Sequence, residues 1–173
     1  MENRMKHYVR LLSVALAAML ALSACGFKLR GTGPQPILPF KTLFVSVAET
    51  SPLGVQLRRN LDAMSNIEIV SDRELADAAL EVLNEGRDKQ VLSLNSQGRV
   101  REYTLLYRVN FRVVDKEGRQ LLAPTDLVIR RIQSFNENQV LAKEAEEATL
   151  FREMQSDLVQ QVLRRVSAIK PVQ

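Results

Sequence analysis

The 173-residue chain contains one cysteine, Cys25, one histidine, His7, and no tryptophan. A single cysteine forms no disulfide within the chain, and one cysteine with one histidine is too few for a Cys/His zinc site. The phosphate-loop pattern G-x-x-x-x-G-K-[ST] is also absent. The longest apolar run covers residues 11–22, whereas a membrane-spanning helix needs about 20 residues. We therefore predict no metal, no cofactor and no enzymatic activity.

The apolar run belongs to an N-terminal targeting segment. Three basic residues precede it within the first ten positions, and it ends in Leu-Ser-Ala-Cys. Basic residues followed by a short apolar run are typical of a secretory signal peptide. The last four residues resemble the bacterial lipobox, in which diacylglycerol alkylates the thiol and the chain is cut before the cysteine. This pattern predicts a cleaved lipoprotein signal peptide over residues 1–24 and a lipid anchor on Cys25.

Cleavage at this point would leave 149 residues, which is enough for one domain with its own core. It would also remove His7, so the mature chain would lack imidazole acid–base chemistry. The mature chain has 21 basic and 19 acidic residues, and its net charge of about +2 does not indicate nucleic-acid binding. Residues 25–40 are rich in glycine and proline and predict a tether after the lipidated cysteine. We expect a single domain over residues 41–170.

Hydrophobic periodicity predicts an α+β domain. A β-branched run predicts a first strand at residues 41–48, and apolar residues at helical spacing predict a helix over residues 53–64. Strict alternation over residues 103–113 predicts a long half-buried strand, and residues 138–169 carry one long apolar helical stripe. This order favours two helices on one face of an antiparallel-rich sheet.

Three weaker signals concern the other strands. Residues 77–94 predict an extended strand with Gly86 as a candidate break, and residues 66–72 are a candidate short strand. Pro124 marks a bulge or an edge position in the strand that returns after the long one.

The charges are unevenly distributed along the chain. Residues 87–131 contain ten basic and five acidic residues, whereas residues 136–157 contain two basic and six acidic residues. Two interpretations stay open. The arginines either form a dispersed solvated surface, or they form a basic patch for an anionic partner such as a lipid phosphate or an acidic protein wall.

Four segments together resemble the LptE (RlpB) family of outer-membrane lipopolysaccharide-assembly lipoproteins. They are ACGFKLRG at residues 24–31, REYTLLYRVNFRV at 101–113, RRIQSFNENQVLAKEAEEATLFREM at 130–154 and VLRR at 162–165. The resemblance implies two helices on one face of a four-stranded mixed, largely antiparallel sheet. It also implies a non-enzymatic lipoprotein that plugs the LptD β-barrel, helps it assemble, binds lipopolysaccharide and assists lipopolysaccharide insertion into the outer leaflet.

The resemblance also implies a localisation and a ligand site. The chain would be lipid-anchored in the outer membrane, on the periplasmic side and inside the barrel lumen, and Gly26 rather than Asp at the sorting position agrees with this. A basic position tied to lipopolysaccharide in the family corresponds to Lys143. A second one corresponds to Ser96, which is a departure from the family pattern, and either Arg99 or Arg101 is expected to replace it.

One alternative function remains at this stage. An outer-membrane lipoprotein can instead reach through the periplasm and activate a cell-wall enzyme. That function predicts a longer tether than the roughly 15 residues that follow Cys25, because the domain must travel far from its anchor.

Overall fold

A computed structural model describes residues 38–170 of the protein. Cys25, the predicted signal peptide and residues 25–37 of the predicted tether lie outside these residues. In chain order the elements are β1 (Thr42–Ser46), α1 (Pro52–Asp62), β2 (Glu68–Val70), β3 (Ala78–Leu94), β4 (Val100–Asp115), β5 (Gln120–Ser134) and α2 (Val140–Ser167), with short 3₁₀ turns at Arg73–Leu75 and Glu137–Gln139.

The sheet has five strands in the order β2-β1-β3-β4-β5. β1 pairs in parallel with both β2 and β3, whereas the much longer β3–β4 and β4–β5 pairs are antiparallel. The prediction of an α+β fold with two helices and a mixed sheet is confirmed. The expected number of four strands is wrong, because the candidate short strand forms the three-residue edge strand β2. A strand this short shows no alternation long enough to identify it securely from sequence.

Two of the weaker strand signals have clear outcomes. β3 runs through Gly86 without a break, and its first irregularity lies between Val82 and Asn84 instead. Pro124 satisfies both alternatives predicted for it. It lies on the edge strand β5, and the register shifts at this point, because Phe111 is opposite Thr125 and Val113 is opposite Leu122. Proline has no N–H to donate to the ladder, so a bulge on an edge strand accommodates it at little cost.

Helix α1 begins with a side-chain cap and packs very closely on the sheet. The Ser51 hydroxyl oxygen accepts a hydrogen bond from the Gly54 N–H at 2.9 Å, and Pro52 occupies the first turn, where a missing N–H is tolerated. Gly54 is required by the packing, since a Cβ built there would lie 2.5 Å from Val47 Cγ1. The glycine therefore lets the helix backbone approach the end of β1.

Both helices cover the same face of the sheet. Side chains of β4 on that face, such as Tyr107 and Phe111, are fully buried, as are Leu57 of α1 and Leu158 of α2. These residues belong to one continuous hydrophobic cluster. At about 1.5–3 kcal/mol per fully buried large apolar side chain, this cluster supplies the main driving force for folding.

The core extends further toward the N-terminus than expected. Leu38 and Phe40 are 4% and 9% exposed and belong to the hydrophobic cluster. These two apolar side chains, which belong to the last residues of the predicted tether, pack with the domain.

A polar network joins β3, β4, α1 and α2 near the middle of the sheet. The Tyr107 hydroxyl donates to Glu85, which also accepts from the Ser51 hydroxyl. Arg87 donates to the Tyr107 oxygen at 3.2 Å and to Gln155 Oε1 at 2.9 Å. The Arg87 guanidinium also lies 4.6 Å from the Tyr107 ring centroid, in a cation–π arrangement.

β3 has a long unpaired edge. β1 pairs with it only from Ala78 to Glu81, so the outer backbone of Val82–Leu94 has no strand partner among residues 38–170. This stretch is called the free edge below. Most of its side chains are exposed, and four of them carry charges, at Glu85, Arg87, Asp88 and Lys89.

The sheet has two distinct ends. The proximal end holds the first described residues and the β4–β5 turn, where Gly118 adopts φ +82°. The distal end consists of the β3–β4 turn (residues 95–99), the end of β5 and the start of α2. In the distal turn Gly98 adopts φ +75°, a conformation that glycine accepts without strain. With 16 residues at about 3.3 Å each, β4 spans roughly 50 Å between the two ends.

Candidate functional site

The three basic residues expected to meet lipopolysaccharide all lie at the distal end. Arg99 and Arg101 flank the start of β4 and line a shallow pocket of about 230 Å³ together with Phe135 and Glu137. The backbone N–H of Phe135 donates to the Arg101 carbonyl at 2.8 Å, which joins the end of β5 to the start of β4. Lys143 lies in the first turn of α2, and its ammonium donates to the Ser134 hydroxyl at 3.0 Å. The fold thus brings together residues that are 44 positions apart in sequence.

The three cations differ in accessibility and in partners. The side chain of Arg99 is 64% exposed and forms an ion pair of 2.9 Å with Glu137. The side chain of Lys143 is only 16% exposed and forms an ion pair of 2.7 Å with Glu146. Arg101 is exposed, and no carboxylate within residues 38–170 pairs with it. Arg99 and Arg101 are therefore the more accessible cations, and Lys143 is enclosed by its neighbours.

Aromatic side chains pack next to the basic residues of the distal end. The rings of Tyr103 and Phe135 meet edge to face with centroids 5.3 Å apart. The Lys89 ammonium lies 4.3 Å from the Tyr103 ring centroid and also pairs with Glu147 at 2.5 Å. Such ring pairs and cation–π contacts each stabilise a local structure by about 0.5–1.5 kcal/mol. They hold the start of β4 and the end of β5 in a fixed relation.

A buried glutamine connects this support to α2. Gln133 is 1% exposed, and its Nε2 donates to the Lys143 carbonyl at 2.7 Å. Its Oε1 has no hydrogen-bond partner among the described residues. A buried amide group costs free energy unless it is hydrogen-bonded. The hydrogen bond from Gln133 Nε2 to the Lys143 carbonyl therefore ties the first turn of α2 to β5.

Exposed hydrophobic side chains surround the same end. Six of the ten large hydrophobic residues that are exposed in the described chain lie there, and they are Val91, Leu92, Leu94, Ile132, Val140 and Leu141. Leu141 is 83% exposed, which is unusual for leucine in the first turn of a long amphipathic helix. The distal end therefore combines basic groups with exposed apolar groups.

Sequence reasoning identified the three cations but missed their neighbours. It noted the acidic excess at the start of α2 without assigning those carboxylates to particular cations. It also did not single out Lys89, Tyr103 or Gln133. No sequence signal identifies these contacts, because they join β3, β4, β5 and α2 across the sheet.

Two classes of feature are absent from the residues the structure describes. None of the helices within residues 38–170 is both long and apolar enough to cross a membrane. Over the same range, no cluster of three or more histidine, cysteine, aspartate or glutamate side chains is arranged to hold a metal ion.

The match to known families decides the classification. The profile of the LptE family, described as lipopolysaccharide-assembly, matches residues 40–166 of this chain. The chain belongs to the LptE family. An LPS-assembly lipoprotein LptE from Yersinia enterocolitica is 31% identical over 171 residues, covering 95% of this chain and 78% of the relative. The resemblance to the LptE family seen in the sequence is confirmed, and the relatives that match are lipoproteins of lipopolysaccharide assembly.

Solved structures of related lipoproteins share the fold. The solution structure of lipoprotein B from Nitrosomonas europaea matches with a TM-score of 0.71 and 38% identity, covering 83% of this chain and 91% of that one. The crystal structure of the rare lipoprotein B from Shewanella oneidensis matches with a TM-score of 0.65 and 26% identity, covering 74% and 95%. The arrangement of helices and strands in this chain is thus that of the LptE family.

Proposed function

We propose that this protein is the lipoprotein partner of an LptD-type outer-membrane β-barrel and that it binds lipopolysaccharide. In this proposal it plugs the barrel lumen, helps the barrel assemble and assists lipopolysaccharide insertion into the outer leaflet. The main support for lipopolysaccharide binding is the distal end, where basic and exposed apolar side chains are found together. Lipopolysaccharide carries phosphate groups beside acyl chains, so a protein surface that binds it needs both kinds of contact.

The roles of individual residues follow from their accessibility. Arg99 and Arg101 are exposed, and a guanidinium can donate two parallel hydrogen bonds to one phosphate. Lys143 would contribute a less accessible contact, since only 16% of its side chain is exposed. Leu141 and the other exposed hydrophobic side chains of the distal end would contact acyl chains. No residue of this surface is proposed to be catalytic.

The plug and the anchor have separate support. The lumen of a large outer-membrane barrel is polar, and the sheet face opposite the helices carries polar residues of β4 such as Arg108, Asn110 and Arg112. The predicted lipidation of Cys25 would attach the protein to the outer membrane by two or three acyl chains, which give stable anchoring where one chain is marginal.

One pair of variants tests the ligand site. We expect Arg99→Ala/Lys143→Ala to weaken binding of purified lipopolysaccharide in detergent by about tenfold, because two charge-assisted contacts to phosphate are lost. Arg108→Ala/Arg130→Ala is the matched control, since it removes two exposed arginines from the opposite face of the sheet. Equal binding by both variants would rule out the distal end as the ligand site.

The same variants report on the plug separately. Purification of the tagged protein from gently solubilised membranes should recover a large β-barrel in a 1:1 complex with the wild type and with Arg99→Ala/Lys143→Ala. A wild-type protein that elutes alone would contradict the barrel partnership, whatever the outcome of the lipopolysaccharide measurement.

A further inference from the structure

The basic residues of the distal end are paired with carboxylates from a single short segment. Arg99 pairs with Glu137, Lys143 with Glu146 and Lys89 with Glu147, at distances of 2.9, 2.7 and 2.5 Å. All three glutamates lie in residues 137–147, which cover the 3₁₀ turn before α2 and the first two turns of the helix. Two of the three cations proposed to meet a phosphate, Arg99 and Lys143, thus already have an anionic partner, whereas Arg101 has none within residues 38–170.

Two of these pairs lie at the surface, where a ligand can reach them. The Glu137 side chain is 50% exposed and the Glu146 side chain is 43% exposed. Exposed ion pairs contribute little to stability, so they can open without unfolding the domain. The Lys89–Glu147 pair is less accessible, at 34% and 24% exposure.

The geometry points to Glu137 and Glu146 as internal competitors for the anion site of the distal end. In the free protein their carboxylates occupy the hydrogen-bonding positions on Arg99 and Lys143 that a phosphate group would take. A bound phosphate displaces them, since it carries up to two negative charges and three acceptor oxygens where a carboxylate carries one charge and two oxygens. This inference rests on the proposed function and assigns a regulatory role to residues beside the same site.

Internal competition sets a threshold for binding. It lowers the affinity by the same factor for all ligands that displace the same carboxylates, so the ratio between two such ligands does not change. A ligand with a single weak anionic contact then falls below useful affinity at its working concentration. An amphiphile that combines several phosphate contacts with burial of acyl chains on the exposed leucines still binds.

A purely structural role for these ion pairs makes the opposite prediction. If Glu137 serves only to fix the β3–β4 turn through Arg99, its replacement leaves the turn less ordered and binding becomes weaker or stays the same. The sign of the change in affinity therefore separates the two roles.

The experiment compares two variants with equal charge. Glu137→Gln/Glu146→Gln removes the proposed competitors, and Glu144→Gln/Glu153→Gln removes two exposed carboxylates of α2 that pair with no cation in the described chain. The probes are purified lipopolysaccharide in detergent micelles and the same material after enzymatic dephosphorylation. Affinity is measured at low ionic strength, where surface charges are least screened.

We expect Glu137→Gln/Glu146→Gln to bind lipopolysaccharide more tightly than the wild type by about twofold to thirtyfold. This range corresponds to a factor of about 1.4 to 5 for each exposed pair released. The gain in affinity should disappear with the dephosphorylated probe. The control variant Glu144→Gln/Glu153→Gln should change the logarithm of the affinity by less than half as much as Glu137→Gln/Glu146→Gln does.

The outcomes separate this inference from the proposed function. If the wild type binds and the competitor variant binds no more tightly than the control, the competitor role is wrong and the proposed function stands. If only the competitor variant binds, the competitor role is supported and the proposed function fails for the natural sequence. If neither binds, both are wrong.

Discussion

The two halves of β3 illustrate how one strand serves two different purposes. Its first four residues, Ala78–Glu81, are buried and have strand partners on both sides. Its remaining residues pair with β4 alone and are mostly exposed, and they carry the sheet toward the distal end. The first segment holds the fold together, whereas the second segment leaves most of its side chains exposed at the edge of the sheet. Substitutions in the packed half should therefore affect stability, and substitutions at the distal end should affect binding.

The largest expected effect is a cavity in the hydrophobic core, next to the packed segment of β3. Phe111→Ala removes a fully buried ring from β4 and should lower the free energy of unfolding by about 3–5 kcal/mol. Leu94→Ala at the distal end removes a side chain that is 57% exposed and should change it by no more than about 0.5 kcal/mol. Chemical denaturation of the domain without its lipid anchor measures both values. Similar losses of unfolding free energy in the two variants would contradict this contrast between the packed core and the distal end.

The next effect concerns the close approach of α1 to β1. Gly54→Ala places a Cβ only 2.5 Å from Val47 Cγ1, which is much closer than van der Waals contact. The substitution should therefore destabilise the domain by about 1–3 kcal/mol. Val47→Ala removes that methyl group, so the double variant should recover part of the loss. A double-mutant cycle by denaturation measures the coupling. Independent, additive effects would show that the contact with Val47 is not the cause.

The smallest effect concerns the polar network around Tyr107, which lies midway along β4. Burial, together with the hydrogen bond to Glu85, raises the pKa of the Tyr107 hydroxyl to about 12. A group whose pKa is raised on folding stabilises the native state below its unfolded pKa of about 10 and loses that contribution as the pH rises to about 12. We expect the wild type to lose about 1–2 kcal/mol more than Tyr107→Phe between these pH values. Parallel curves of unfolding free energy against pH for the two proteins would contradict this linkage.

The same division explains what the sequence could and could not predict. Alternation over residues 103–113 and the stripe of α2 identified the long strand and the long helix, because burial on one face imposes a period on the sequence. The strand β2 was expected only as a candidate, because three residues carry too little pattern. The unbroken course of β3 through Gly86 was not predicted. A glycine with open space around it is compatible with an unbroken strand as well as with a break, so the residue type alone does not decide between them.

The candidate site was predicted only in part. Lys143, Arg99 and Arg101 were assigned from the family resemblance, and the structure brings them to one end of the sheet. Their partners Glu137 and Glu146 could not be assigned from sequence, because an acidic segment can pair with any nearby cation. Pairing depends on the register between β4 and β5, in which Glu102 lies opposite Ser134. That register is fixed by packing over the whole length of the sheet.

The free edge of β3 bears on how the protein behaves at high concentration. An unpaired strand edge is a template on which a strand of another copy can add, and such addition has no natural end once a sheet begins to grow. Here the regular part of the template is limited to the eight residues Asn84–Val91, because irregular pairing interrupts the strand on either side. Four consecutive or near-consecutive charged side chains, from Glu85 to Lys89, lie within that window. The irregularities and the charges together hinder edge-to-edge pairing between copies, although the edge has no strand partner within residues 38–170.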